Sequence, residues 1–323
     1  MPRGYVPWKG LAKMRCSVCG REAVIRLRHA GLRLCPEHLV ARVEKEVEGA
    51  IRRFRMFSHE ERVLVAVSGG KDSLALWHIL TKLGYQADGL YIDLGIGGYS
   101  ERSREVSQAF AEERGLRLHL VSLAGQLGAT LDELTRIARG KPCSLCGTVK
   151  RYLMNRAAWE GGYQALATGH NLDDEAATLL GNVLRWDEGY LARQYPVLPE
   201  EGKLVRKVKP LVFLSEREMA AYCLINGIHY LHEDCPHAKG ARSIVLKGVL
   251  NQLEDRYPST KISFLRQFLK VRDRFQPPEP VLLHECPSCG MPTAAEGACR
   301  FCRLKERVAR HALRVTDDHG TSA

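Results

Sequence analysis

Eleven cysteines are the residues whose spacing most directly suggests chemistry in this sequence of 323 residues. Nine of them fall in five short C-x-x-C or C-x-x-H pieces, and an odd total cannot all pair in disulfides. Met1–Gly10 contains no apolar signal core, so we do not expect secretion or an oxidising compartment. In such a chain this spacing predicts metal binding rather than a disulfide framework.

The first two pieces lie near the N-terminus and read C-x2-C-x15-C-x2-H. Three thiolates and one imidazole complete a tetrahedral zinc site, and zinc would fold a segment too short to hold its own core. Because no ligand position is left open, we predict a structural zinc site. Its ligands are Cys16, Cys19, Cys35 and His38.

The last two pieces lie near the C-terminus and read C-x2-C-x9-C-x2-C. Four thiolates at this spacing are typical of a zinc ribbon, so we predict a second structural zinc. Its ligands are Cys286, Cys289, Cys299 and Cys302.

The remaining piece, Cys143-Ser-Leu-Cys146, has no second pair at zinc-ribbon distance. Cys223 lies in an apolar helical stretch typical of a buried thiol, whereas Cys235 precedes a proline in a polar loop, as cluster ligands often do. We therefore predict Cys235 as the third thiolate. Three thiolates can hold a [4Fe–4S] cluster with one iron left open, although the same ligands also suit a third zinc.

A phosphate-binding loop is indicated by Ser68-Gly-Gly-Lys-Asp-Ser73, which follows an apolar run and opens a helical pattern. Two glycines permit a tight turn with exposed N–H groups, and the helix N-terminus, the lysine and the serine hydroxyls add positive charge and donors. No Walker A sequence occurs, so a motor ATPase or GTPase is disfavoured.

The cysteines and the phosphate loop must be positioned by secondary structure, and the sequence predicts alternating strands and helices. Buried-type strands are predicted at 63–67, 86–93, 116–123 and 165–168, and helices at 74–83, 100–114, 148–159 and 172–184. Further helices are predicted at 40–57, 215–226, 243–253 and 261–272. Residues 186–204 are predicted to be irregular, and the tail after Arg314 irregular and disordered. We predict an α/β fold whose parallel sheet carries helices on both faces.

The loop Ser68–Ser73 is similar to the SGGKDS signature of the PP-loop ATP pyrophosphatases, which cleave ATP between the α and β phosphates. The resemblance implies a PP-loop domain at residues 58–275, flanked by zinc-binding modules at 1–57 and 276–323. It also implies ATP and Mg²⁺ as cofactors. The implied nucleotide-binding residues are Ala66, Ser68, Gly69, Gly70, Lys71, Asp72, Ser73, Ile92 and Gly169.

Three further segments resemble the tRNA 2-thiolation branch of that family, the TtcA/TtuA type: 141–151, 168–175 and 235–242. The resemblance implies that Lys150 contacts the α-phosphate and that Asp174 is a catalytic acid/base or magnesium partner. Asn171 is also a good helix N-cap, and acids in a first helical turn offset the macrodipole, which explains acidity there without catalysis.

The implied activity is ATP-dependent 2-thiolation of a tRNA uridine, and the two flanking metal modules favour position 54 of the T-loop. The uracil 2-carbonyl would be adenylated, and sulfur from a thiocarboxylated ubiquitin-like carrier would be transferred through the iron–sulfur cluster. A wobble-uridine or cytidine 2-thiolase, a non-thiolating PP-loop ligase and a zinc-finger RNA-binding protein are the alternatives. Related enzymes are often dimers, so a homodimer is expected.

The uneven distribution of charge along the sequence favours a polyanionic partner. Residues 1–55 hold 13 Lys+Arg and 5 Asp+Glu, although the whole chain carries only +11. Such local excess favours RNA, and several other basic residues could touch phosphates: Arg206, Lys207, Lys209, Arg303, Lys305, Arg307 and Arg310. No apolar run is long enough to cross a membrane, so a cytoplasmic protein is expected.

Overall fold

The N-terminal segment forms a small zinc-finger-like unit that runs into a long helix. The computed structural model of the protein describes residues 14–238, 240–275 and 282–320. Strands β1 (Ile25–Leu27) and β2 (Leu32–Leu34) pair antiparallel, and α1 (Pro36–Phe54) follows. Pro36 occupies the first turn of α1, where its missing N–H costs no helical hydrogen bond.

A six-stranded sheet forms the centre of the molecule. Its strands are β3 (Arg62–Val67), β4 (Gln86–Asp93), β5 (Leu118–Ser122), β6 (Ala165–Thr168), β7 (Val197–Leu198) and β8 (Arg206–Val208). Their order is β5-β4-β3-β6-β8-β7, and only the edge pair β7–β8 is antiparallel. Helices connect β3 to the parallel neighbour β4 and β4 to the parallel neighbour β5, and helices also lie between β5 and β6.

Helices cover both faces of this sheet. They are α2 (Lys71–Lys82), α3 (Gly97–Glu113), α4 (Leu123–Leu127), α5 (Leu131–Ala138), α6 (Pro142–Glu160), α7 (Leu172–Val183), α8 (Glu188–Arg193), α9 (Glu216–Ile225), α10 (Arg242–Arg256) and α11 (Thr260–Val271). The C-terminal unit contains β9 (His284–Glu285), β10 (Pro292–Thr293) and α12 (Arg300–Gly320). None of the described helices is both long and apolar enough to span a membrane.

Side-chain alternation along β3 divides the hydrophobic core in two. Val63, Val65 and Val67 belong to one buried cluster, and Leu64 belongs to the other, as a period of two requires. The first cluster contains residues of α1, α2, α9 and α11, and the second contains residues of α5, α6 and α12. The predicted α/β fold with a mainly parallel sheet and helices on both faces is therefore confirmed.

Each cysteine-rich unit contributes to one of the two cores. Cys16 and Cys35 belong to the first cluster, and Cys286, Cys299 and Cys302 to the second. The domain boundaries after residue 57 and before residue 276 stay predictions, and residues 276–281 lie outside the described part of the chain.

Three local predictions need correction. Helix α6 begins at Pro142 rather than at Thr148, because a proline fits the first helical turn. The segment 186–204 contains α8, which Asp187 caps locally, and β7, which exists only through its pairing with β8. The backbone of α12 continues past Arg314 to Gly320, so the tail is not irregular at that point.

Candidate functional site

A single cavity lies at the carboxyl ends of β3 and β4, where open parallel sheets bind their ligands. Ala66, Ser68 and Ile92 line one side of it. Residues of α6 and of the loop after α9 complete the lining: Cys146, Lys150, Met154 and Cys235. Residues predicted to bind nucleotide and residues predicted to bind a cluster therefore share one cavity.

The loop between β3 and α2 is held in a fixed turn by its own serines. Ser68 N–H donates to Ser73 Oγ at 3.1 Å, and Ser73 Oγ donates to Gly70 O at 3.0 Å. Gly69 has φ +72°, and a Cβ there would lie 2.7 Å from Ser103 O. Gly70 caps α2 without a side-chain hydrogen bond, so the first-turn N–H groups can meet an anion.

Gly169 brings a second loop against the start of α2. A Cβ at Gly169 would lie 2.9 Å from Ser73 N and 3.0 Å from Asp72 C. Two backbone segments pack here without a side chain between them, which explains why glycine is required.

Charged groups surround this junction. Lys71 Nζ lies 3.0 Å from Asp72 Oδ2, and Asn171 Nδ2 donates to Asp72 Oδ1 at 3.1 Å. Lys247 Nζ lies 2.6 Å from Asp174 Oδ1. Burial raises the pKa of Asp174, but the Lys247 ammonium, His170 and the Asn171 N–H together outweigh burial and lower the pKa. Asp174 is therefore a carboxylate at neutral pH.

The acids beside Asp174 have structural partners. Asp173 is buried, pairs with Lys261, and accepts the Glu216 N–H at 2.9 Å. Glu175 is buried and pairs with Lys209 Nζ at 2.8 Å. Asp174 also accepts the Asn171 N–H at 3.1 Å in a reciprocal capping box. The Asp174 carboxylate therefore caps the start of α7. Burial raises the pKa of Asp72, and the nearby Asp174 carboxylate adds to the increase.

One face of α6 carries three of the predicted site residues. Cys143, Cys146 and Lys150 are spaced by three and four residues, so their side chains lie along one side of the helix. Cys143 Sγ donates to the carbonyl oxygen of His237 at 3.3 Å. This hydrogen bond connects α6 to the loop that carries Cys235. The N-terminus of α6 also favours anionic ligands.

Cys146 and Cys235 are half-buried at the cavity. Burial raises the pKa of Cys146, Lys150 opposes this, and the neighbouring thiols of Cys235 and Cys143 add to the increase. Because Cys143 and Cys235 both act on the pKa of Cys146, the three sulfurs lie near one another. Cys223 is elsewhere: it is fully buried on α9, and its Sγ donates to Lys71 O at 3.5 Å.

Two compact sets of metal-ligand atoms occur in residues 14–238, 240–275 and 282–320. Each set has four atoms within 4.8 Å of one another. They are Cys16, Cys19, Cys35 and His38, and Cys286, Cys289, Cys299 and Cys302. The Sγ pairs Cys19–Cys35 and Cys289–Cys299 are both 3.8 Å apart. A tetrahedron with Zn–S bonds of about 2.3 Å has sulfur separations of about 3.8 Å, so both sets fit a single ion.

The three cysteines at and beside the cavity are arranged differently. Cys143, Cys146 and Cys235 do not form a set within 4.8 Å, although all are part of the described chain. A cubane of four irons holds its thiolates farther apart than one ion does, so the trio is not arranged for a single ion as the two outer sets are.

Two contributors to the site were not predicted from the sequence. Lys247 of α10 pairs with both Asp174 and Glu216, but nothing in its local sequence separates it from a solvated helix lysine. Tyr99 of α3 lines the cavity and lies close enough to Cys235 for the thiol to affect its pKa. Its position depends on how α3 packs at the end of β4.

Comparison with known families accounts for most of the chain. Residues 15–40 match the family 2-thiouridine synthetase TtuA, N-terminal LIM domain, and residues 40–252 match the PP-loop domain. The second match covers well over half of the sequence.

Whole-chain relatives agree with these matches. The tRNA-5-methyluridine(54) 2-sulfurtransferase of Thermus thermophilus is 53% identical over 93% of both chains, and that of Pyrococcus horikoshii is 45% identical over 90% of this chain and 93% of its own. The solved structure of the U34-tRNA thiolase NcsA from Methanococcus maripaludis with its [4Fe-4S] cluster is 27% identical, with a TM-score of 0.79 over 92% of this chain and 97% of that one. The chain belongs to the PP-loop family and, within it, to the tRNA 2-sulfurtransferases.

Proposed function

We propose that this protein thiolates the 2-position of uridine 54 in the T-loop of tRNA, using ATP to activate the base. The observation that carries the proposal is the shared cavity, in which Ser68 of the phosphate loop and Ile92 lie with Cys146 and Cys235. An enzyme that activates a carbonyl with ATP and then delivers sulfur needs both chemistries at one place.

Activation is the first half of the reaction. The first-turn N–H groups of α2 and the Lys71 ammonium bind the pyrophosphate end of ATP, while Ala66 and Ile92 contact the adenosine. The uracil O2 attacks the α-phosphorus, the α–β bridging bond breaks, and pyrophosphate leaves. Lys150 stabilises the negative charge that develops on the α-phosphate.

Asp174 is proposed as a magnesium ligand rather than a proton donor. Its carboxylate pairs with Lys247, has a lowered pKa, and lies near the carboxylate of Asp72. Carboxylates beside substrate phosphates are the usual ligands of Mg²⁺. The ion would neutralise the leaving pyrophosphate.

Sulfur transfer is the second half. Cys143, Cys146 and Cys235 would hold a [4Fe–4S] cluster, which would supply an iron free of cysteine as a binding position for the incoming sulfur. The sulfur replaces the adenylated oxygen at C2, and AMP leaves. Met154 and Leu94 line the same cavity and exclude water from the activated base, which would otherwise be hydrolysed.

The outer cysteine sets are proposed to bind one zinc each and to serve structure. The partners are tRNA, a thiocarboxylated ubiquitin-like sulfur carrier and a second copy of the chain. A cytoplasmic location accords with relatives such as the cytoplasmic tRNA 2-thiolation protein 1 of Drosophila melanogaster, 32% identical over 91% of this chain.

Position 54 is favoured over the wobble position by the degree of similarity. Relatives named for position 54 are 44–53% identical, whereas the NcsA protein of Haloferax volcanii is 30% identical. A wobble-uridine or cytidine 2-thiolase is the alternative, and mapping 2-thiouridine to one nucleotide of the tRNA distinguishes them. A PP-loop ligase without sulfur chemistry would have no use for Cys146 and Cys235 in the cavity with Cys143 beside them.

Four single variants test the division between activation and sulfur transfer: Cys143→Ala, Cys146→Ala, Cys235→Ala and Cys223→Ala. The first three are expected to lose the iron and all 2-thiouridine formation, because two thiolates hold a cluster poorly. They should still bind ATP, since the phosphate loop is a separate element. The measurements are iron per chain after anaerobic purification, 2-thiouridine in hydrolysed tRNA, and ATP affinity.

Cys223→Ala is the matched control, because it removes a thiol that lies under the phosphate loop and outside the cavity lining. It should keep iron and activity. Full activity in Cys143→Ala would remove the cluster from the mechanism. An inactive, iron-free Cys223→Ala beside an active Cys235→Ala would reassign the third ligand.

A further inference from the structure

Helix α12 has an apolar face and an adjoining basic face. Phe301, Leu304 and Val308 recur at helical spacing and are buried in the second core, where α12 packs on α4, α5 and α6. The basic face is an exposed stripe at intervals of four, three and four residues: Arg303, Arg307, Arg310 and Arg314. Packing against the core thus fixes the direction in which the arginines point.

A cleft of about 550 Å³ lies between this stripe and the end of α5. Arg136 comes from α5, Arg139 is the C-cap residue of that helix, and three arginines come from α12. The basic residues that line it are Arg136, Arg139, Arg307, Arg310, His311 and Arg314. Five guanidinium groups from two elements therefore face one concave surface.

These arginines lack carboxylate partners. Among the described residues, no carboxylate oxygen lies within 4.0 Å of any of the five, whereas Arg62, Arg104 and Arg206 each have one. Glu133, on α5, is engaged in a capping box with Thr130 and acts on Arg136 only at longer range. Like charges held together repel one another unless an anion joins them, and guanidinium groups bind phosphate with two parallel hydrogen bonds.

The cleft adjoins the proposed sulfur site. Asp132 of α5 pairs with His237 Nε2 at 2.7 Å, in the loop that carries Cys235. Arg136 lies four residues farther along the same face of α5, a rise of about 6 Å, and Arg139 is the C-cap residue that follows the helix. Arg139 also precedes Cys143 by only four residues. A ligand in the cleft would therefore lie next to the mouth of the cavity.

We propose that this arginine cleft binds the phosphate backbone of the RNA substrate on one side of the nucleotide that enters the cavity. The identity of that RNA as tRNA rests on the proposed function. Contacts to phosphate position a nucleic acid without reading its sequence, so the cleft sets affinity and register while the cavity selects the base.

The test uses the full-length protein, purified anaerobically, and an unmodified tRNA transcript as the probe. The double variant Arg307→Gln/Arg310→Gln should bind the transcript roughly tenfold more weakly at moderate salt. The slope of log K against log salt should fall by about 1.4–1.8, because each phosphate contact contributes about 0.7–0.9. ATP affinity should not change.

Two controls distinguish the effect of positive charge in the arginine cleft from the effect of losing positive charge elsewhere on the protein. Arg307→Lys/Arg310→Lys keeps the charges and should retain most of the slope. Lys270→Gln/Arg274→Gln removes two exposed charges at the end of α11, which packs in the first core on the other face of the sheet. That pair should leave affinity and slope at the wild-type values.

Wild-type affinity and slope in the Arg307→Gln/Arg310→Gln variant would overturn the inference. Normal tRNA binding combined with weaker binding of the sulfur-carrier protein would assign the cleft to an acidic protein surface instead, and would also overturn it. A wild-type protein that binds tRNA through the cleft but forms no 2-thiouridine would contradict the proposed function alone.

Discussion

Two thiols only twelve residues apart, Cys223 and Cys235, have opposite surroundings. Cys223 is fully buried on α9, whereas Cys235 is half-buried in a loop at the cavity. Burial raises the pKa of Cys223 to about 12, with Asp72 adding to the effect and Lys71 opposing it. A thiol in that state is a poor nucleophile and a poor metal ligand, because both roles need the thiolate.

Alkylation can test this contrast directly. In native protein stripped of iron and treated with iodoacetamide near pH 8, Cys143 and Cys235 should be modified, while Cys223 should stay free until the protein unfolds. Peptide mass spectrometry measures each site, and a urea-unfolded sample is the control in which Cys223 must react. Native modification of Cys223 at the rate of the exposed Cys143 would contradict the burial described here.

At the scale of elements, the site depends on two segments that meet at a glycine. The turn after β6 carries Gly169, and the start of α2 carries Asp72 and Ser73. Because β3 and β6 are parallel neighbours, with Ala66 paired to Thr168, the residues after both strands reach the same edge of the sheet. The phosphate loop and the Asp174 helix are thereby brought together.

Gly169→Ala should weaken ATP binding by roughly tenfold or more. Its Cβ would lie 2.9 Å from Ser73 N, so the start of α2 must shift, and overpacking of this kind costs about 1–3 kcal/mol. The measurement is the Kd of ATP by calorimetry. Gly49→Ala is the control, since a Cβ there meets nothing within 4 Å. It should leave ATP affinity unchanged and stabilise α1 by up to about 1 kcal/mol. Equal ATP affinity in both variants would show that Gly169 tolerates a side chain.

At the scale of the whole molecule, the two cysteine-rich units support opposite faces of one sheet. The N-terminal unit packs into the first core, and its Arg28 donates to Asp255 O of α10 at 2.7 Å. The C-terminal unit packs into the second core, where Tyr152 of α6 and Phe301 of α12 stack with ring centroids 3.9 Å apart. Metal binding at the ends should therefore stabilise the centre.

Zinc content and stability should fall together in two variants. The wild type should hold about two zinc per chain, and Cys16→Ser and Cys286→Ser should each lose about one, because three ligands bind zinc less tightly than four. Both should lower Tm by several degrees while the iron content stays. The measurements are elemental analysis and thermal unfolding. Cys223→Ser is the control, because Cys223 lies outside both ligand sets, and it should keep the zinc content of the wild type. Two zinc in both variants would contradict the assigned sets.

Local features could be predicted because the information lies within a few residues. The alternation of strands and helices follows from apolar periodicity, and the spacing of ligands within each outer cysteine set is itself short-range. The fold class and the family follow from such features. Even the capping box of Ser215 and Glu218 is present in the structure as its sequence pattern predicts.

Tertiary structure decided whatever depends on residues far apart in the chain. Lys247 reaches Asp174 from 73 residues away and helps to keep it charged, and no local pattern marks that pairing. The arginine cleft exists because α12 packs its apolar face on α5 and thereby sets Arg307 beside Arg136. The sequence by itself determined the elements, the ligand spacings and the phosphate loop. Their meeting at one edge of the sheet depends on long-range packing, because side chains from separate elements become neighbours only when the core between them is filled.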